Sequence, residues 1–142
     1  MAEESTTSNA HRSDWTDAFA EKSSAAFGAA FAEDVVLEAS VLRRPITGRR
    51  QVAHVLEVAS GIYESLTFEH QTVDGDRTYL EWEAVALGGT VLRGVTVLTR
   101  NSGGLVTRAA IHHRPLDAVL AFSAEVARRT SGVVEASYFA SH

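Results

Sequence analysis

The sequence contains no cysteine among its 142 residues. This absence excludes disulfide bonds, thiolate metal sites and thiol nucleophiles. No apolar run approaches the roughly 20 residues that a membrane-spanning helix needs. The first ten residues, MAEESTTSNA, are polar and acidic, unlike the basic and then apolar start of a signal peptide. We therefore expect a cytoplasmic protein.

Positively charged residues are also few. The sequence has 13 Lys and Arg and 18 Asp and Glu, which gives a net charge of −5. Surfaces that bind nucleic acid or anionic membranes are usually basic, so neither partner is expected. The hydrophobic content of 45% and charged content of 22% are ordinary for a globular protein. The length fits one domain with a real core.

The first half of the chain predicts short helices and one strand. Residues 1–12 have no periodicity and are expected to form a flexible tail. A helix can begin at Ser13, and a second apolar helical stripe lies within residues 26–31. Residues 34–42 are rich in β-branched side chains and predict a strand. A third helix is expected to open at Thr47-Gly48.

The second half predicts an antiparallel meander, because four apolar runs are separated by short turn sequences. The four strands are predicted at 66–73, 77–87, 90–100 and 105–114. Pro115 suits the start of a last helix, and residues 133–142 are expected to be a loosely ordered tail. Helices followed by antiparallel strands predict one α+β domain over residues 13–132.

The direction of the side chains on the strand at 77–87 decides where a site can lie. A two-residue loop at Gly88-Gly89 would pair Glu81 with Thr96 of the next strand. In that register, the face bearing Glu81 and Glu83 collects more apolar neighbours than the face bearing Trp82. We therefore predict that the glutamates face the interior and that Trp82 faces a partner subunit. A bulge would reverse this arrangement, and that alternative stays open.

The order of these elements, and the stretch AAFGAAFAEDVVLEASVLRRPITGRRQVAHVL, resemble the nuclear transport factor 2-like superfamily. Its enzymes include ketosteroid isomerase, limonene epoxide hydrolase and the SnoaL-like polyketide cyclases. The resemblance covers about residues 13–114. It implies a cone, in which a curved antiparallel sheet wraps around the N-terminal helices and encloses an apolar pocket, often in a dimer. The extra C-terminal helix is expected to close one end of the cavity.

The resemblance does not extend to the known catalytic residues of the isomerases. Those enzymes carry a tyrosine on the first helix, a basic aspartate on the first strand and a protonated aspartate on a later strand. The matching positions here hold Trp15, Ala39 and Thr96. None of the three can perform the same chemistry, so steroid isomerisation by that mechanism is not predicted.

Catalysis in the predicted pocket would depend on Glu81 and His113. An apolar cavity disfavours a charged carboxylate, which makes Glu81 a candidate proton donor or acceptor, and His113 is its candidate partner. The predicted substrate contacts are Trp15, Phe19, Tyr63, Phe68, His70, Tyr79, Glu83, Thr96 and Ile111. No metal is expected, because His112 and His113 point to opposite faces of a strand. No cofactor is expected either.

These features predict a SnoaL-like small-molecule enzyme. It would cyclise, isomerise or hydrolyse an apolar polyketide-like, carbonyl or epoxide substrate by acid/base catalysis without a cofactor. The alternative is a non-catalytic binding or carrier domain, and a third possibility is a pure dimerisation module. The expected partners are a small apolar or aromatic ligand and a second copy of the chain, held through the sheet face bearing Trp82.

Overall fold

The computed structural model, which describes residues 14–140, has the predicted helices and strands in the predicted order, with a two-residue strand and a short 3₁₀ helix that the sequence did not predict. The helices are α1 over residues 14–21, α2 Ser24–Ala30, α3 Arg49–Ile62 and α4 Leu116–Arg129. The strands are β1 Phe31–Ala39, β2 Ile46–Thr47, β3 Tyr63–Asp74, β4 Arg77–Ala86, β5 Thr90–Arg100 and β6 Val106–Arg114. A short 3₁₀ helix covers Ala136–Tyr138. The predicted tail at residues 1–12 lies outside the described residues.

The six strands form one sheet in the order β2-β1-β6-β5-β4-β3. Strands β3 to β6 are the predicted antiparallel meander, while β1 runs parallel to β6. The sheet is curved and unclosed, and the helices pack on its concave side. The α+β cone predicted from the sequence is therefore confirmed.

Local sequence explains where the helices begin and which faces they bury. Ser23 caps α2, because its hydroxyl accepts a hydrogen bond from the Ala26 backbone N–H at 3.1 Å. Such a cap contributes about 1 kcal/mol to helix stability. In α3, Val52, Val55 and Leu56 recur at helical spacing and are buried. These faces hold the helices against the concave side of the sheet.

Aromatic rings fill the space between the first helices and the sheet. Trp15 of α1 lies against Phe19, Phe27 and Phe31, with ring centroids 5.1, 6.1 and 6.1 Å away. Arg100 of β5 also holds α1, because it donates two hydrogen bonds of 3.0 Å to the carboxylate of Asp14. These contacts hold α1, and with it the Trp15 ring, against the sheet.

Strand β4 presents the opposite face to the interior from the one predicted. Trp82 is buried at 4% exposure and Leu80 is fully buried. Glu81 is exposed, and the half-buried Glu83 forms an ion pair of 3.1 Å with Arg93 on the outer face. The prediction that the glutamates face the interior is wrong. The prediction that Trp82 faces a partner subunit is wrong for the same reason.

The cause is the loop between β4 and β5, which has three residues rather than two. Leu87 takes a left-handed conformation, with φ of 55°, ahead of Gly88 and Gly89. Ala86 then pairs with Thr90, and Glu81 pairs with Val95 instead of Thr96. A shift of one residue moves every side chain of a strand to the other face.

An irregularity in β3 divides its side chains between the two faces. Pairing with β4 shifts between Phe68 and His70. Phe68 therefore lies opposite Trp82 on the inner face, while His70 lies opposite Glu81 on the outer face. The shift moves His70 away from the predicted pocket and leaves Phe68 there.

The C-terminal helix and the residues after it pack against the loop that follows β1. Phe122 of α4 is buried, and the Ser123 hydroxyl donates to the Val41 carbonyl at 2.7 Å. The buried Phe139 pairs with Leu42 in an isolated antiparallel bridge. Residues 133–140 thus lie against the domain. Within residues 14–140, no helix is long and apolar enough to cross a membrane.

Candidate functional site

A small cavity lies between α1 and the concave face of the sheet, and we call it the inner cavity. Its walls are Trp15, Phe19, Tyr63, Leu66, Phe68, Trp82, Thr96 and Ile111. Its volume is about 10 Å³, roughly the room that one water molecule needs. The walls are mostly apolar. Their polar groups, all neutral, belong to Trp15, Tyr63, Thr96 and Trp82, whose indole N–H is hydrogen-bonded to Thr96.

A larger open pocket, the mouth, adjoins the inner cavity and has a volume of about 210 Å³. The two spaces share Phe19, Tyr63, Leu66 and Phe68 as walls. The remaining walls of the mouth are Thr16, Ala20, Lys22, Ser60, Glu64 and Ser65. The cleft is therefore polar at its rim and aromatic in its depth.

Two phenylalanines stand where the mouth meets the inner cavity. The rings of Phe19 and Phe68 lie 6.1 Å apart between centroids, at an angle of 63°. Phe19 is buried, whereas Phe68 is half-buried. The Phe68 ring borders open space on its mouth side, so it has room to move outward.

Thr96 and Trp82 form a buried polar pair on the cavity wall. The indole Nε1 of Trp82 donates to the Thr96 hydroxyl at 3.1 Å. The indole nitrogen of Trp15 is buried as well, but it has no hydrogen-bond partner among the described residues. All of these groups are uncharged.

Tyr63 is the fourth side chain with a polar group on the cavity wall, after Trp15, Trp82 and Thr96. Its ring stacks on Phe122 of α4, with centroids 5.0 Å apart and an interplanar angle of 23°. Burial raises the pKa of the phenol well above its ordinary value of 10.0. Tyr63 therefore stays protonated, and its hydroxyl can donate a hydrogen bond.

His113 lies on the inner face of β6, where its ring packs between Trp82 at 5.3 Å and Phe122 at 6.3 Å. Burial lowers the pKa of His113 to about 4; a backbone hydrogen bond at Ile111 opposes this shift, and the charge of His112 adds to it. Its Nδ1 is buried and has no hydrogen-bond partner in the described part of the chain. The imidazole is neutral at pH 7.

This pKa predicts how stability depends on pH. Between the ordinary value of 6.5 and about 4, the unfolded chain binds a proton at His113 that the folded chain does not. The free energy of unfolding should fall as pH drops through this window, by at most roughly 3 kcal/mol. Urea denaturation at several pH values measures how steeply the free energy of unfolding depends on pH.

His113→Asn should reduce this pH dependence, whereas the control His112→Asn should not. An unchanged pH dependence in His113→Asn would contradict the lowered pKa of His113.

Six of the predicted ligand contacts line the inner cavity, whereas four other predicted site residues lie on the outer face of the sheet. Those on the inner cavity are Trp15, Phe19, Tyr63, Phe68, Thr96 and Ile111. Those on the outer face are His70, Tyr79, Glu81 and Glu83. The outer four cannot contact a molecule in the cavity, because the strand register points them away from it. His113 faces inward but does not line the inner cavity.

Sequence reasoning missed Leu66 and Trp82 as cavity walls. Strand β4 itself carried the signal for Trp82, because Leu80, Trp82, Ala84 and Ala86 alternate without a charge while the opposite set holds both glutamates. That amphipathic alternation places the uncharged set inside. Within residues 14–140, no group of three or more His, Asp or Glu side chains could hold a metal ion.

Comparison with known proteins places this geometry in a family. The family model described as the SnoaL-like domain matches residues 13–109, more than half of the chain. A search of curated proteins found no match. Solved structures supply further likenesses, which at their sequence identities show a shared fold alone.

An uncharacterised bacterial protein with a cystatin-like fold from Silicibacter pomeroyi is 24% identical, with 87% of this chain and 86% of that chain covered and a TM-score of 0.82. A steroid delta-isomerase from Pseudomonas aeruginosa is 21% identical, with coverages of 87% and 90% and a TM-score of 0.78. A protein of ketosteroid isomerase-like fold from Catenulispora acidiphila, in complex with trimethylamine, is 21% identical, with coverages of 80% and 92% and a TM-score of 0.64. From its cone-shaped fold and the match to the family model, the chain belongs to the SnoaL-like domain family of the nuclear transport factor 2-like superfamily.

Proposed function

We propose that the protein binds a small, uncharged apolar or aromatic molecule in the inner cavity, and that this molecule enters through the mouth. The observation that carries the proposal is the junction of the two spaces at Phe19 and Phe68. Aromatic walls with a few polar groups are typical of small-molecule sites. No acidic or basic side chain lines the inner cavity, so a charged ligand would be buried there without a partner.

Binding requires Phe68 to move, because the inner cavity of about 10 Å³ is far smaller than an aromatic ring. The half-buried Phe68 ring can swing toward the mouth and join the two spaces. The helix carrying Phe19 is held by the ion pair between Asp14 and Arg100, so this wall stays in place. In the present position of its ring, Phe68 separates the inner cavity from the mouth.

Toluene and benzoate test the proposal, because they share a ring and differ in charge. We expect toluene to perturb NMR signals of Phe19, Phe68 and the Trp82 indole, and to bind about tenfold or more tightly than benzoate, which must bury an unpaired charge. The full-length, isotope-labelled chain is titrated with each probe. The absence of toluene shifts in the cleft, or equal affinity for the two probes, contradicts the proposal.

Two lysine substitutions provide the matched control for this titration. Phe68→Lys places a charge at the junction and should abolish the toluene shifts. Val91→Lys makes the same charge change on an outer-face side chain that is 43% exposed, and it should leave binding intact. If Phe68→Lys binds toluene as the unmodified chain does, the proposed entrance is wrong.

A second candidate is a cofactor-independent acid/base reaction at a polyketide-like, carbonyl or epoxide substrate, with His113 as the base. The neutral imidazole favours this function, because its Nδ1 has no hydrogen-bond partner among residues 14–140. A base with a pKa of about 4 is nevertheless weak at neutral pH, and Glu81 lies on the outer face. Binding is therefore the function that the geometry supports best, and product formation would distinguish the two.

Dimerisation and cytoplasmic location stay predictions. A dimer formed through the sheet would use its outer face, because Trp82 and its neighbours on the inner face are buried. That face carries the partly exposed apolar side chains Tyr79 and Val91 beside Glu83 and Arg93.

A further inference from the structure

We propose that a second site, on the outer face of the sheet, binds the phosphate group of a small organic phosphate. The site, which we call the outer pocket, is lined by strands β1 and β6 and by the loop over residues 40–45 that follows β1. Its volume is about 300 Å³, at the lower end of the range for small-molecule pockets. The proposal goes beyond the function proposed for the inner cavity and does not depend on it.

The outer pocket is basic, although the chain has a net charge of −5. Its walls include Arg43, Arg44 and Arg108, three of the 13 Lys and Arg residues in the chain, together with His112. Among the described residues that line it, Glu38 is the only one with a carboxylate. Positive side chains around a concave surface focus the electrostatic field there and raise the local concentration of anions.

Two basic side chains of the outer pocket are free to bind an anion. Within residues 14–140, the side chains of Arg43 and His112 form no hydrogen bond or ion pair. Arg108 forms an ion pair with Glu38, and a guanidinium that meets one carboxylate keeps further N–H donors. An incoming anion therefore finds donors both on the loop and on β6.

Contacts with the C-terminal residues hold the loop in place. The Arg43 backbone N–H donates to the Tyr138 carbonyl at 2.8 Å. The Arg44 guanidinium lies over the Tyr138 ring, 4.1 Å from its centroid, and forms an ion pair of 3.2 Å with Glu135. Because the loop is already held at both arginines, little of its conformational entropy is lost when an anion binds.

The chemistry of the walls restricts which anion fits. A guanidinium matches the oxygens of a phosphate in a bidentate geometry. A phosphate monoester carries a charge of roughly −1.5 to −2 at neutral pH, so it gains more than a carboxylate does from several nearby cations. The outer pocket also has apolar walls at Leu42, Pro45 and Ala110, which can cover the organic part of such a molecule.

Phenyl phosphate, benzoate and inorganic phosphate test the class of ligand. The full-length, ¹⁵N-labelled chain is titrated with each probe at the same low ionic strength. Phenyl phosphate should shift the backbone amide signals of residues 40–44 and 110–112, and it should bind about threefold or more tightly than benzoate, which carries a single charge. It should also bind about threefold or more tightly than inorganic phosphate, which has no apolar part.

The absence of shifts in these signals, or equal affinity for phenyl phosphate and benzoate, overturns the site. Equal affinity for phenyl phosphate and inorganic phosphate overturns the organic ligand in favour of the free ion.

Charge variants test whether binding occurs in the outer pocket. Arg43→Gln should weaken the binding of phenyl phosphate about three- to fivefold, the scale of one exposed charge contact. Arg77→Gln removes an exposed arginine that does not line the outer pocket, and it should leave binding unchanged. Glu38→Gln removes the carboxylate that competes for Arg108, so binding should tighten about threefold. Equal weakening by Arg43→Gln and Arg77→Gln would show a non-specific effect of net charge and overturn the proposal, and weaker binding in Glu38→Gln would overturn it as well.

Discussion

Gly94→Ala is expected to destabilise the protein by about 3 kcal/mol, at the upper end of the effect of overpacking a core. A methyl group at this position would lie 2.3 Å from Cζ2 of Trp82 and 2.4 Å from the backbone carbonyl oxygen of His112. The indole can shift only by disturbing its neighbours, and the carbonyl belongs to the adjoining strand. Neither contact can be relieved cheaply.

Gly94 has this importance because it lies directly opposite Trp82 in the β4–β5 pair. The absence of a side chain lets the indole lie flat against strand β5. From there its Nε1 reaches the hydroxyl of Thr96. The same glycine therefore supports both the packing of the core and the polar pair on the cavity wall.

Urea denaturation of Gly94→Ala and Gly61→Ala measures the effect. Gly61 lies near the end of α3, and a Cβ there would meet no atom within 4 Å. Gly61→Ala should leave stability unchanged or raise it by up to about 1 kcal/mol, through helix propensity. Similar stabilities for the two variants would contradict the close packing of Trp82 on Gly94.

The order of elements could be predicted from the sequence because local signals specify it. The α2 cap at Ser23, the spacing of Val52, Val55 and Leu56 in α3, and the glycine-rich turns of the meander all act within a few residues. The same signals place the aromatic side chains of α1 and α2 on the concave side. The family resemblance then added the cone, which local patterns alone do not specify.

The orientation of β4 could not be derived from the turn sequence, because Gly88-Gly89 is compatible with two loop lengths. Leu87 joins the loop by adopting a left-handed conformation that is uncommon for a residue with a branched side chain. The register of the β4–β5 pair then determines which face of the sheet each side chain of these strands occupies. The uncharged alternation of β4 itself was the better guide, since it does not depend on the loop.

Contacts between distant parts of the chain were beyond sequence reasoning for another reason. Arg44 donates to Ser137 at 2.8 Å and lies over the ring of Tyr138, 4.1 Å from its centroid. These residues are more than 90 positions apart, and nothing in either local sequence specifies the partner. The irregularity in β3 that separates Phe68 from His70 is likewise a property of the pairing with β4.

Truncation of Trp82 is the second large effect that the structure predicts. Trp82→Ala should lower the free energy of unfolding by about 3–5 kcal/mol, as expected for removing a buried aromatic side chain. The indole packs against Tyr63 and His113, with centroids 6.2 and 5.3 Å away, and donates to Thr96. All of these contacts are lost together.

Comparison with Glu81→Ala tests the central claim, that strand β4 turns Trp82 toward the inner cavity and Glu81 toward solvent. The two residues are adjacent on one strand, and Glu81→Ala should change the free energy of unfolding by no more than about 0.5 kcal/mol, as for other surface positions. Denaturant unfolding of the two variants under identical conditions measures both values. A loss of several kcal/mol in Trp82→Ala, with Glu81→Ala close to the unmodified chain, is the predicted result. Equal losses, or a larger loss in Glu81→Ala, would contradict it.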